Sequence, residues 1–290
     1  MDYRIKNEFL TVTVDSRGAQ MTSILSADGT EYLWPGNPDW PGHAPNLFPM
    51  VGRLFDNTYI MDGKEHTMHI HGFLAWQEMD VTENTGSGIT FTAAANDVTR
   101  GIYDREFMVS VRFELVENKI VIRFSVDNKD SRVMYFGYGG HPGFNVPMSE
   151  GLKFEDYYLE FEEPCQPVSI GLTPACYIGA PNLPIDLVDD RKLPLRHDLF
   201  DNDAIVMHSM AKAVTIKSDK DTRSVTVRYP KMPYLGVWHL PRQEVDYVCI
   251  EPWMSLPARQ DVIEVFEEKL DNIVLAPGKT YVNEWDITIR

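Results

Sequence analysis

FMVSVRFELV (Phe107–Val116) and KIVIRFSV (Lys119–Val126) are separated by Glu117-Asn118 alone. Both runs alternate apolar and polar residues with period two, and β-branched and aromatic side chains fill the apolar positions. This pattern predicts two half-buried strands joined by a tight turn. The same alternation recurs outward in both directions: FLTVTV over Phe9–Val14, AVTIK over Ala213–Lys217, SVTVRY over Ser224–Tyr229 across a turn-rich Ser218–Arg223, and YVNEWDITI over Tyr281–Ile289. Strands with one polar face and one apolar face build antiparallel sheets that pack face to face, so an all-β, large antiparallel β-sandwich is expected.

Helical signal is scarce. Asp261–Leu270 (DVIEVFEEKL) predicts a short surface helix, with an acid at its start and Lys269 near its end. No strand–helix alternation of about 30 residues supports a doubly wound sheet. The proline-rich stretches Trp34–Pro49 and Pro164–Pro194 carry interspersed apolar residues and read as long loops. Residues 1–290 are therefore expected to form a single β domain, a size within reach of large sandwiches.

The net charge of −16 opposes contact with phosphate backbones or anionic lipid, so neither nucleic acid nor membrane is an expected partner. Three cysteines, Cys165, Cys176 and Cys249, form neither a disulfide framework nor a metal-ligand spacing. With no apolar run near the first residues, a cytoplasmic location is expected.

Four segments set ionisable residues among glycine and proline: Asn46–Arg53 (NLFPMVGR), His69–Phe73 (HIHGF), Gly139–Asn145 (GGHPGFN) and Cys249–Trp253 (CIEPW). A loop histidine usually does no more than bond a carbonyl. The glycines at 139, 140 and 143 are expected to leave space around His141, which favours proton transfer near neutral pH. Glu251 closes a β-like run beside Trp253, where desolvation raises carboxylate basicity. Arg53, among apolar neighbours, either pairs with a carboxylate or offers its fork to a ligand. His69 and His71 would share one face of a strand, which admits a cupin-like metal site, although the first downstream acid, Glu78, is poorly spaced for it. No nucleophile elbow, phosphate loop, CxxC pair or HExxH helix is present.

In order and spacing, these four segments resemble the aldose 1-epimerase family, and within it the LacX-like branch. The resemblance covers nearly the whole chain and implies a β-supersandwich fold. It further implies that Glu251 is the catalytic base and His141 the catalytic acid, with His71 and Arg53 contacting the sugar. A family aspartate matches the segment Leu199–Ile205, where Asp203 is the favoured choice and Asp201 the competitor. The implied reaction interconverts the α and β anomers of an aldohexose by ring opening and closure, with no metal or organic cofactor, in a monomer or homodimer. It requires Glu251 ionised and His141 protonated together, a state that their opposite charges are expected to favour.

Where galactose mutarotases usually have His-Gly-Gly and Tyr-Phe-Asn, this chain has His71-Gly72-Phe73 and Gly143-Phe144-Asn145. Phe73 is accordingly expected to reshape the pocket floor. Three other readings compete: a non-catalytic sugar-binding module, the cupin-like metal enzyme, and a hexose-6-phosphate epimerase. The last would want clustered cations, and Arg100 and Arg105 are neighbours in sequence.

Overall fold

The computed structural model describes all 290 residues and is built almost wholly from strands. The hairpin of Phe107–Val116 and Lys119–Asn128 pairs over ten residues, Lys119 opposite Val116 through Asn128 opposite Phe107. Around it a nine-stranded antiparallel sheet grows outward. Gly88–Ala94 and Asp80–Asn84 extend one side; Thr280–Ile289, Val225–Arg228, Ala213–Lys217, Tyr158–Phe161 and Lys192–Pro194 extend the other. The predicted pairs of alternating segments are thus real hairpins or neighbours, and the early run forms Leu10–Asp15 within a separate three-stranded sheet.

A second, eight-stranded sheet runs from Leu183–Pro184 through Val168–Ser169, Ile205–His208, Tyr234–Trp238 and Tyr247–Trp253 to Gly139–Gly140 and Asn46–Leu47, with Gly143–Asn145 also paired to Tyr247–Trp253. The two large sheets share a core of 64 buried residues. Ile120, Ile122 and Phe124 from the first meet Leu235, Val237, Val248 and Ile250 from the second in this core. Trp285 of the nine-stranded sheet donates its indole N–H to the Tyr138 hydroxyl at 2.9 Å, a polar tie across the apolar layer. The all-β sandwich expected from the alternation is the observed fold.

The helix expected over Asp261–Leu270 does not form. Glu264–Val265 instead runs as a short parallel strand beside Thr58–Met61. The buried Glu264 carboxylate takes the Arg259 guanidinium at 3.0 Å, Phe266 stacks on Tyr59 with ring centroids 4.0 Å apart, and buried Lys269 bonds the Leu256 carbonyl at 2.7 Å. Two charged residues that a surface helix would have left to solvent are fixed inside together with Phe266, and this packing outweighs a weak propensity. The only α-helix is Asp97–Ile102, started by an Asn96–Thr99 capping box.

Phe266 is fully buried against Tyr59. Its replacement in Phe266→Ala should cost about 3–5 kcal/mol of stability, measured as a lowered urea midpoint with unchanged slope.

Candidate active site

The strand Tyr247–Trp253 is buried along its entire length. Alternation sends Val248 and Ile250 into the main core, and leaves Cys249, Glu251 and Trp253 on the opposite face. On one flank it pairs with the glycine segment, Gly143 opposite Cys249 and Gly139 opposite Trp253. The register between those two points sets His141 across from Glu251, at the spacing of about 4.5–5.5 Å between Cβ atoms typical of cross-strand neighbours. On the other flank Gly236 stands opposite Glu251. A Cβ at Gly236 would lie 3.1 Å from that of Glu251, so only glycine leaves the carboxylate its room.

The outcome is a direct contact: His141 Nε2 lies 3.2 Å from Glu251 Oε2. His141 is 8% exposed and Glu251 1%. Glu251 Oε2, His141 Nδ1 and the Trp253 indole N–H are all buried without a well-directed hydrogen-bond partner. Native interiors rarely tolerate such orphans, and three together mark a place prepared for something polar.

Burial moves the two groups in opposite directions. It pushes Glu251 well above the ordinary carboxylate range, reinforced by the negative charge of Asp203. It pushes His141 down to about 4, against a partial opposing pull from Asp203. The expectation that opposite charges hold Glu251 ionised and His141 protonated is therefore corrected. Desolvation disfavours both charges, and the neutral arrangement with the proton on Glu251 prevails.

The pair opens into a cavity of about 260 Å³. Arg53, His71 and Asp203 line the same cavity, so all five residues singled out in the sequence converge there. The Gly52 backbone N–H donates to His71 Nδ1 at 3.1 Å. Burial above all, with the Arg53 guanidinium nearby and any charge on His141 opposing a second one, pushes His71 well below the ordinary imidazole range and holds it neutral. Its one ring proton is consequently on Nε2, which makes His71 a hydrogen-bond donor. Asp203 receives the Ala204 N–H on Oδ1 at 2.8 Å and the Cys176 thiol on Oδ2 at 3.0 Å. Asp201, the competing aspartate, lies outside this cavity on a neighbouring surface depression with Arg242. His71, Cys176 and Asp203 each have φ between 64° and 76°. Non-glycine residues in that region are uncommon, and here three line one cavity.

His69 and His71 do not share a strand face. They lie in a turn with positive φ at His71 and Gly72, and His69 opens onto a different cleft with Trp76 and Asp97. The two-histidine ligand pair therefore does not form. A Cβ at Gly72 would come within 2.3 Å of the Phe48 carbonyl oxygen, which explains the glycine by close backbone approach. Phe73 does not shape the cavity floor: it is buried against Phe48 and Phe107 in the core. Arg105 is buried and bonds Asp62, and Arg100 pairs with Glu106 and Asp97. Both are structural ion pairs away from the cavity.

Sequence reading missed Trp40, Trp238 and Cys176. Trp40 stacks on His141 at 5.5 Å between ring centroids, and Trp238 meets the same imidazole edge-on at 5.6 Å. A tryptophan inside a proline- and glycine-rich loop, as in Asp39-Trp40-Pro41, needs a burial site and was the available signal. The glycines around His141 make room chiefly for indoles. Gly139 backs Trp253, Gly140 backs Trp285 and Gly143 backs Trp40, where a Cβ would approach within 2.6–2.7 Å.

Known proteins share this fold. A galactose mutarotase related enzyme from Lactobacillus acidophilus superposes with a TM-score of 0.96 at 34% identity, covering 100% of this chain and 97% of that one. A galactose mutarotase-like protein from Lactobacillus casei gives 0.93 at 28% identity, with full coverage of both chains. The plasmid-encoded LacX protein of Lactococcus lactis subsp. lactis is 32% identical over 302 aligned residues, 100% of this chain and 99% of its own length. The sequence model for aldose 1-epimerase matches residues 1–288. Together these findings support an isomerase acting on carbohydrate, and the chain belongs to the aldose 1-epimerase family.

Proposed function

We propose that the protein interconverts the α and β anomers of a neutral aldohexose, with Glu251 and His141 as its acid–base pair and no cofactor. The observation that carries this reading is the 3.2 Å contact between the two groups within an indole-walled cavity. The ring oxygen and the anomeric hydroxyl share one carbon, so an acid and a base that act on them must stand side by side. Groups on opposite faces of a pyranose would serve less well.

Proton bookkeeping then becomes simple. Glu251 takes the anomeric hydroxyl proton while His141 gives a proton to the ring oxygen. The pair ends with the proton on Glu251 and a neutral imidazole, and the sugar is an open aldehyde. Rotation about C1–C2 and the reverse transfers close the ring with the other configuration. Throughout, the pair holds one proton whose position changes, and nothing is exchanged with solvent. Ring opening neutralises two charges in a dry site, which burial favours. Before that step the proton must pass from Glu251 to His141, a transfer that alters neither net charge nor proton count.

Arg53, the His71 Nε2–H and the Asp203 carboxylate supply donors and an acceptor for hydroxyl groups, and Trp40, Trp238 and Trp253 offer apolar faces. Arg53 is the only lysine or arginine lining the cavity. One cation facing two carboxylates supports a neutral sugar over a phosphorylated one, which wants clustered cations.

Polarimetry of freshly dissolved α-glucose and α-galactose should show faster mutarotation with the protein, and Glu251→Gln should lose about 10²–10⁴-fold of that rate. A protein that binds sugar without accelerating mutarotation would be a binding module instead. The profile of kcat/KM against pH should be a bell, with an acid limb near 4, where His141 accepts a second proton, and an alkaline limb above the ordinary carboxylate range, where Glu251 loses the only one. A flat profile opposes the assignment.

Stability gives an independent check. Folded Glu251 keeps a proton that the unfolded chain sheds above its ordinary 4.5, so this group's stability contribution is lost as pH rises from there to the raised folded value. Glu251→Gln removes that loss. The Tm of the variant relative to the native protein should rise steadily as pH increases above about 5.

A further inference from the structure

Cys249 has no part in the acid–base chemistry, yet it stands two residues before Glu251 on the same strand face. It is fully buried, carries a free thiol, and does not line the cavity. One ligand atom each from His141, Cys249 and Glu251 lies within 4.8 Å of the others. A nitrogen, a sulfur and a carboxylate oxygen are the donor set that Zn2+ selects, at about 2.0–2.3 Å from the ion.

We propose that His141, Cys249 and Glu251 form a binding site for a thiophilic divalent cation such as Zn2+, which occupies the acid–base pair and inhibits the enzyme reversibly.

Three observations support the site. First, His141 Nε2 and Glu251 Oε2 are already 3.2 Å apart, the separation of two ligands on one tetrahedral ion, and the Cys249 thiol lies within 4.8 Å of both, so it alone must close in. Second, Glu251 Oε2 is buried with no well-directed hydrogen-bond partner, so its lone pairs are not tied up elsewhere. Third, the charges cancel. A divalent ion with one thiolate and one carboxylate is neutral, and a neutral complex is what an enclosure of Trp40, Trp238 and Trp253 holds at least cost. The fourth position faces the cavity, which also provides the entry path.

Binding is balanced by proton release: the thiol gives up one proton and the His141–Glu251 pair gives up the one it shares. Affinity accordingly rises with pH. With its lone pairs on the metal, the pair can neither accept from the anomeric hydroxyl nor give to the ring oxygen, and turnover stops until the ion leaves. The inhibitory consequence rests on the proposed epimerase function, whereas the metal site itself does not.

The test uses the full-length chain with Co2+ and Zn2+. Native protein should bind one Zn2+ by equilibrium dialysis, and Co2+ should give a sulfur-to-metal charge-transfer absorption. Cys249→Ser should lose that absorption and bind Zn2+ at least about tenfold more weakly, since even the outer partners of a metal ligand are worth about 10–100-fold. A Cys165→Ser/Cys176→Ser double variant, which keeps only Cys249, should retain the absorption. If Cys249→Ser fails to fold, Glu251→Gln serves in its place and should weaken Zn2+ by a similar factor.

No thiolate absorption in the native protein, or an absorption lost in the double variant, overturns the site, the latter by assigning the ion to Cys165 or Cys176. Zn2+ should also abolish mutarotation, with recovery on adding EDTA. Metal bound at Cys249 with mutarotation undiminished overturns the inhibition. Metal bound there by a protein with no mutarotase activity at all upholds the site and removes the epimerase reading.

Discussion

One hydrogen-bond register governs the site. The pairing of Gly143 with Cys249 and of Gly139 with Trp253 fixes His141 against Glu251. A slip of one residue would turn Glu251 into the core and bring Ile250 to the cavity. The register is held on both faces at once. Val248 and Ile250 are locked among core side chains, and the glycines at 139, 140 and 143 accept three indoles that no larger residue could admit. The pair is thus placed by the stiffest part of the molecule, two adjoining strands of a sheet that carries one face of the sandwich core.

The same burial that fixes the geometry sets the chemistry. A carboxylic acid and an imidazole excluded from water both prefer to be neutral, so they share a single proton instead of standing as an ion pair. This arrangement suits a reaction that gives and takes one proton at neighbouring oxygens. Glu251 Oε2, His141 Nδ1 and the Trp253 indole N–H are buried without well-directed partners, which marks this as a place suited to a polar group. Asp203 modulates both groups from across the cavity, and its own position is secured by Ala204 and Cys176.

The rest of the cavity is made differently. Arg53, His71, Cys176 and Asp203 come from loops and turns, three of them in left-handed backbone conformations. Loops held this tightly act as fixed walls, with Gly52 and Gly72 permitting the close approach between the Arg53 and His71 segments. A rigid strand pair therefore holds the proposed acid–base pair, and strained loops hold the residues proposed to meet the sugar.

Alternation alone determined the fold class, because a period of two is a local property that each strand displays without its partners. Its reach ended at Asp261–Leu270, where a helical pattern lost to the burial of Phe266, Glu264 and Lys269 against distant strands. The motif segments also named Arg53, His71, His141 and Glu251, since catalytic-type side chains among glycine and proline stand out locally, while Asp203 came only from the family resemblance, with Asp201 as its competitor. Only the tertiary structure decided that His69 belongs to another cleft, that Asp203 and not Asp201 faces the cavity, and that Trp40, Trp238 and Cys249 surround the pair. Proximity between residues more than a hundred positions apart, and the loss of water that shifts their charges, arise only when two sheets close on each other.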